Sequence, residues 1–196
     1  MFTPSVLALE RGWPGRIEGD SVIQLAAQTL EAFFTGGGKA REHNIYPLAD
    51  VTLRPPVLRP PSVRLFDDER TFAFGNTASV YGPEDDVRAP EPPEPRFAVA
   101  AVVGGNEAIA GYTIVNDWRA PSLAPPKDRD FALSIGPWID TDYTPDAFDF
   151  TEAREAAGRN TKLRAGDLLV APPFAVGVPE AIVPGLGTLR ARWSAA

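Results

Sequence analysis

Cysteine is absent from the 196 residues, and histidine and methionine occur once each. The first absence removes disulfides, zinc–thiolate centres and cysteine nucleophiles together. A lone histidine, His43 in REHNIYPL, cannot build a histidine metal site and reads as a solvated loop residue. Ser122 and Ser134 therefore lack the base that a Ser-His-Asp nucleophile requires. Positive charge is scarce too: 19 Lys and Arg face 26 Asp and Glu, for a net charge of −7. Nucleic-acid modules carry a basic patch, so no nucleic-acid partner is expected. No uninterrupted apolar run approaches the ~18 residues that span a bilayer, which argues against a membrane partner. The opening MFTPSVLALERG lacks a basic segment followed by a long apolar core. No signal peptide is expected, and a cytoplasmic location is the default.

What the sequence has instead is proline, 21 residues, most of them clustered at 55–61, 90–95, 121–126 and 172–179. Proline fixes its own φ and offers no ladder donor, so these clusters punctuate strands and discourage long helices. The apolar runs between them are short and rich in β-branched or aromatic residues: FAVAAVV, AIAGYTIV and DFALSIGPWI. Residues 4–10 read as a strand and 16–25 as a hairpin turning at Gly19-Asp20. Ile23, Ala26, Ala27, Leu30 and Phe33 recur at helical spacing, which predicts a helix stopped by Gly36-Gly37-Gly38. A second helix is predicted over 146–158. Near the end, Leu189, Ala191 and Trp193 alternate with Arg190 and Arg192, as in a half-buried strand. The fold class expected is mainly β (α+β), with two short helices.

Few groups carry chemistry. GGGK at 36–39 follows a helix and lacks phosphate-loop spacing, so it is a helix stop. The acidic run FDDE, 66–69, reads as a solvated loop rather than a cation site. More informative is 116–139, NDWRAPSLAPPKDRDFALSIGPWI. Asp117 ends the strand AGYTIV, and Lys127 and Arg129 follow a proline-rich turn. A carboxylate beside two cations suits an anionic small molecule, such as an enolate or carboxylate. The plain alternative is a surface ion-pair cluster.

IAGYTIVNDWRAPSL followed by KDRDFALSIGPWI resembles the fumarylacetoacetate hydrolase family, in which a Gly-Tyr-Thr-x-x-Asn-Asp strand precedes a Lys-x-Phe segment and Gly-Pro-Trp. RPPSVRLF, FAFGNTASVYGPED, FTEAREAAGRNTKLRAGDLL and GLGTLRARW are similar to further family segments, in the same order. The resemblance implies a β-roll with a mixed sheet, usually dimeric. Residues 1–60 would form a small N-terminal region packed on a core of 61–196. It also implies chemistry on dicarbonyl, enol or 2-oxo acid small molecules, with a magnesium-like ion on acidic ligands.

Those ligands are mostly missing here. Leu65 stands at one carboxylate position, Arg96 and Ala98 at two more, and only Asp117 remains. The family's histidine falls in a deletion between Phe66 and Arg70, and its lysine is best matched by Arg129. No metal or other cofactor is therefore expected. In a repurposed, metal-free site catalysis would fall to Asp117, Arg96 and Arg129, and substrate contact to Arg64, Asn76, Tyr81, Trp118 and Lys127. Two functions follow as expectations. One is a metal-independent enzyme, an isomerase, cyclase or lyase, possessing a small-molecule substrate and forming a homodimer. The other is a catalytically inactive binding or structural subunit that dimerises through the retained sheet.

Overall fold

The computed structural model describes residues 2–4, 12–89 and 92–195. Its N-terminal part pairs β1 (Phe2–Pro4) with β5 (Val51–Leu53), antiparallel. Between them lies a three-stranded antiparallel sheet of β2 (Gly15–Glu18), β3 (Ser21–Leu25) and β4 (Glu42–Pro47). Gly19, with φ of 55°, and Asp20 make the predicted hairpin turn. Helix α1 (Leu30–Thr35) sits between β3 and β4.

The helix predicted from Ile23 is shorter than its apolar spacing suggested. Residues 21–25 run as the central strand of the small sheet, where Val22, Ile23 and Leu25 are buried. The chain becomes helical only after Thr29, whose Oγ1 accepts the Ala32 N–H at 3.1 Å. Burial of β-branched residues between two strands outweighs the helical periodicity. The glycines stop α1 as expected, Gly36 as the cap and Gly37 and Gly38 at positive φ. Most of the strand expected at 4–10 lies outside the described residues.

The rest of the chain supplies β6 (Val63–Phe66), β7 (Phe72–Phe74), β8 (Val80–Tyr81), β9 (Val87–Ala89), β10 (Arg96–Val103), β11 (Ile109–Asp117) and β12 (Leu133–Asp140). After α2 (Phe150–Gly158) come β13 (Leu168–Val170), β14 (Ala175–Val176), β15 (Glu180–Val183), β16 (Gly187–Arg190) and β17 (Trp193–Ala195). Among the described residues the main sheet has eight strands in the order β7-β6-β13-β10-β11-β12-β8, with β14 also paired to β10. The β13–β6 and β12–β8 pairs are parallel and the others antiparallel, so the sheet is mixed.

Both faces of this sheet are covered, which is why β10 reads as an almost unbroken apolar run. Ala98, Ala100 and Val102 pack on one face with Leu65, Val115, Ile135 and Val170. Ala101 and Val103 pack on the other, under Phe150, Ala153 and Ala157 of α2. Those three residues have helical spacing, and Asp149 caps the helix by accepting the Thr151 and Glu152 N–H groups. The predicted second helix thus starts four residues later than 146. Gly111 fits where little else does: a Cβ there would stand 2.6 Å from the Asp140 carbonyl oxygen.

At the C-terminus the predicted alternation holds through Ala191, partly buried between exposed Arg190 and Arg192, and fails at Trp193. Leu189 is buried in the β15–β16 hairpin cluster, but the chain then leaves that hairpin. Trp193 begins β17 beside β9 and is 41% exposed. His43 also differs from expectation, lying on exposed strand β4 rather than in a loop. No helix among the described residues is long and apolar enough to cross a membrane.

Candidate functional site

The β10–β11 hairpin builds the site. Its register pairs Phe97 with Asn116, so Arg96 and Asp117, one step further on, face each other on the same side of the sheet. Asn116 pins that end, its side-chain oxygen accepting the Arg96 backbone N–H at 2.7 Å. A bridge between Glu94 and Arg119 continues the pairing, and Arg119, two residues from Asp117 on extended backbone, turns to the same side. Arg129 arrives from the loop before β12.

Two of these arginines share one carboxylate oxygen. Arg129 Nη2 lies 3.4 Å and Arg119 Nε 3.6 Å from Asp117 Oδ2. Arg119 also donates to Asp128 at 2.9 Å. Arg96 makes no side-chain hydrogen bond or ion pair with a described residue, and its Nε is buried. The Nε groups of Arg119 and Arg129 are likewise buried without a hydrogen-bond acceptor. Three guanidinium groups thus gather around Asp117 and Asp128, with a third carboxylate, Asp67, at the same cavity. Burial raises the Asp117 pKa above its ordinary value, and Arg129, Arg119 and Arg96 in turn pull it down without cancelling that effect.

A cavity of about 30 Å³ lies among these groups. Asp67, Arg96, Asp117, Arg119 and Arg129 line its polar side; Leu65, Phe66, Val170 and Pro173 line its apolar side. A volume of that order accepts a water molecule. A smaller void of about 10 Å³ lies on the other side of Asp117 and Arg129, beside Asn76.

The expected catalytic residues Arg96, Asp117 and Arg129 are therefore brought together, and the expected substrate-binding residues mostly are not. Arg64 points to the opposite side of β6 from Leu65. It is 5% exposed, paired with Ser62 and Asp167 and stacked near Phe72 and Phe74. Trp118 is fully buried and donates its Nε1–H to Ser134 at 2.9 Å. Tyr81 packs against the cluster around Trp118. Lys127 is exposed and paired with Asp130 at 2.9 Å. Asn76 reaches the smaller void, but its amide closes a loop through Ser79, Asp130 and Ala78. Arg119 was missed, although Asp-x-Arg on a strand end places both side chains on one side. Asp68, in the acidic run, accepts the Arg70 and Thr71 N–H groups in an exposed turn.

A hard divalent ion needs several oxygen ligands. No group of three or more metal-ligating side chains occurs among the described residues. Asp117 is engaged by two arginines, and the facing positions are Arg96, Ala98 and Leu65. These residues do not fit such an ion.

No family model matches the chain, and no curated protein matches it. Solved structures do. Maleylpyruvate hydrolase from Sphingobium sp. SYK-6, in complex with manganese(II) and pyruvate, aligns with a TM-score of 0.77 at 17% identity, over 95% of this chain and 97% of its own. The chain carries the fumarylacetoacetate hydrolase fold. A 5-carboxymethyl-2-hydroxymuconate delta-isomerase from Mycobacterium smegmatis aligns at 0.71 and 20% identity, covering 94% of each chain. A 2-keto-3-deoxy-D-arabinonate dehydratase complexed with magnesium and 2,5-dioxopentanoate aligns at 0.75 and 16% identity, over 93% of this chain and 94% of its own. The β-roll with a mixed sheet and two short helices expected from the sequence is the fold found.

Proposed function

We propose that this chain is a metal-independent enzyme acting on a small 2-oxo acid or related enolisable dicarbonyl, by moving a proton next to the carbonyl. The observation that carries this reading is the Asp117 carboxylate enclosed by Arg96, Arg119 and Arg129, whose buried Nε donors lack acceptors. A buried donor left unpaired costs about 1–3 kcal/mol. An anionic ligand with several oxygens recovers that cost. Structures of this fold holding pyruvate and 2,5-dioxopentanoate, both 2-oxo acids, support the substrate class.

In this reading Asp117 takes a proton from the carbon beside the ketone, and the C–H electron pair moves into the carbonyl, giving an enolate. Arg96 and Arg129 donate N–H groups to the enolate oxygen as its charge grows, while Arg119 holds the substrate carboxylate. Return of the proton to the same carbon regenerates the substrate, whereas its delivery to the far carbon of an unsaturated substrate completes an isomerisation. Nothing is oxidised or reduced. A carboxylate whose pKa is raised by burial is a stronger base than an ordinary aspartate, which suits this role. No side-chain hydrogen bond or ion pair to a described residue restrains Arg96.

A second reading, a non-catalytic subunit, is favoured by the cavity volume of about 30 Å³, below the size of a 2-oxo acid. Titration with pyruvate, followed by calorimetry in the presence of a chelator, separates the two. The enzyme reading predicts saturable one-to-one binding that weakens at least about tenfold in Arg96→Ala. Folded protein that shows no saturable binding overturns it in favour of the second.

A further inference from the structure

A much larger cavity lies elsewhere among the described residues. A cleft of about 910 Å³ lies at the other end of the β10–β11 hairpin, beside the turn Gly104–Ala110. Along β11 that is roughly 26 Å from Asp117 at the usual strand rise. One wall is the N-terminal sheet and α1, presenting Ile17, Leu25, Phe33 and Phe34; the facing wall is Trp138 and Ile139 of β12. Small-molecule sites are concave, mostly apolar and about 300–1,000 Å³ in volume.

Most of the polar groups in these walls are already used, the exposed side chains of Thr141 and Asp142 being the exceptions. Arg16 is neutralised by Glu18 at 2.7 Å and Glu42 at 2.6 Å. Asp140 Oδ1 accepts the N–H groups of Asp142 at 2.7 Å and Tyr143 at 3.1 Å. The Trp138 indole N–H donates to the Gly185 carbonyl at 2.9 Å, and the ring is backed by Gly187, where a Cβ would stand 2.7 Å away. What remains for a ligand is chiefly carbon, including the edge-to-face rings of Phe33 and Phe34, 5.5 Å apart. Such a wall offers an anion nothing and favours a neutral guest with ring systems of its own. Because the cleft runs between two layers, a flat protein face does not fill it.

We propose that this cleft is a binding site for a neutral, largely apolar small molecule with an aromatic or conjugated ring system, separate from the Asp117 site. The test uses the full chain and N-phenyl-1-naphthylamine, a neutral arylamine whose emission rises on leaving water. The proposal predicts saturable one-to-one binding, weakened at least about tenfold by Phe34→Asp and unchanged by Arg96→Ala. Should Phe34→Asp fail to fold, Ala108→Arg, an exposed rim position, carries the same expectation. Wild-type protein without saturable binding, or binding indifferent to both cleft variants, overturns the proposal. So does binding that falls as protein concentration rises, because a second copy of the chain is then the occupant.

Discussion

Arg96 and Asp117 face each other across neighbouring antiparallel strands, yet no ion pair joins them. Asp117 is held by Arg129 and Arg119 instead, both at distances longer than a good charge-assisted hydrogen bond. Arg96 is thereby left to another acceptor at the edge of a small cavity lined by three arginines and the carboxylates of Asp67 and Asp117. The proposed function rests on this arrangement, and the predictions below separate what the arginines do for stability from what they do for chemistry.

Arg96→Ala breaks no hydrogen bond or ion pair made by the side chain to a described residue. Its unfolding free energy is expected not to fall, and to rise by up to about 1–3 kcal/mol as the cost of the buried, unpaired Nε–H is removed. Loss of a guanidinium donor to a developing enolate costs roughly a hundredfold or more in turnover. Denaturant melts beside turnover measurements check both halves. A large stability loss would make Arg96 a structural residue.

Asp117→Asn tests the base. Burial raises the Asp117 pKa in the folded state, so between the unfolded and the folded pKa the native protein binds more protons than the unfolded one. Stability from this group is then present at low pH and lost as pH rises through the folded pKa. Wild type minus Asp117→Asn, measured as unfolding free energy against pH, should fall with rising pH in that window and then level off. Turnover should rise with pH in the same window for wild type, and be absent from the variant. A difference curve that rises with pH contradicts the buried, desolvated carboxylate described here.

Arg64→Ala should fail for a different reason. Arg64 and Asp167 are both buried, and Ser62 donates to Asp167 at 2.7 Å beside them. Removing the cation leaves a buried carboxylate without its charge partner, expected to cost about 3–5 kcal/mol. The midpoint of urea unfolding checks this. A loss of substrate binding at unchanged stability would return Arg64 to the substrate-contact role.

The fold was legible because its cues are local and redundant. Prolines bound the strands, the apolar run at 97–103 marks a strand, and Gly36 to Gly38 mark a helix end. The cue at 23–33 misled because helical spacing and a β-branched strand overlap there, and partner strands decide between them. At the site, Arg96, Asp117 and Arg129 could be named from their places in the matched segments. Arg64 and Trp118 could not be judged that way, because which side of a strand reaches the cavity depends on register. The engagement of Arg119 with both Asp117 and Asp128 appears only once the loop before β12 is folded back. The apolar cleft was illegible for a similar reason, since its walls come from segments more than a hundred residues apart.

The most direct measurement follows hydrogen–deuterium exchange at the methyl carbon of pyruvate by NMR, in deuterated buffer containing a chelator. The account predicts exchange above the protein-free rate, unchanged by the chelator and lost in both Arg96→Ala and Asp117→Asn. Exchange that stops with the chelator and returns with magnesium or manganese would contradict it. So would folded wild-type protein that exchanges no faster than buffer alone.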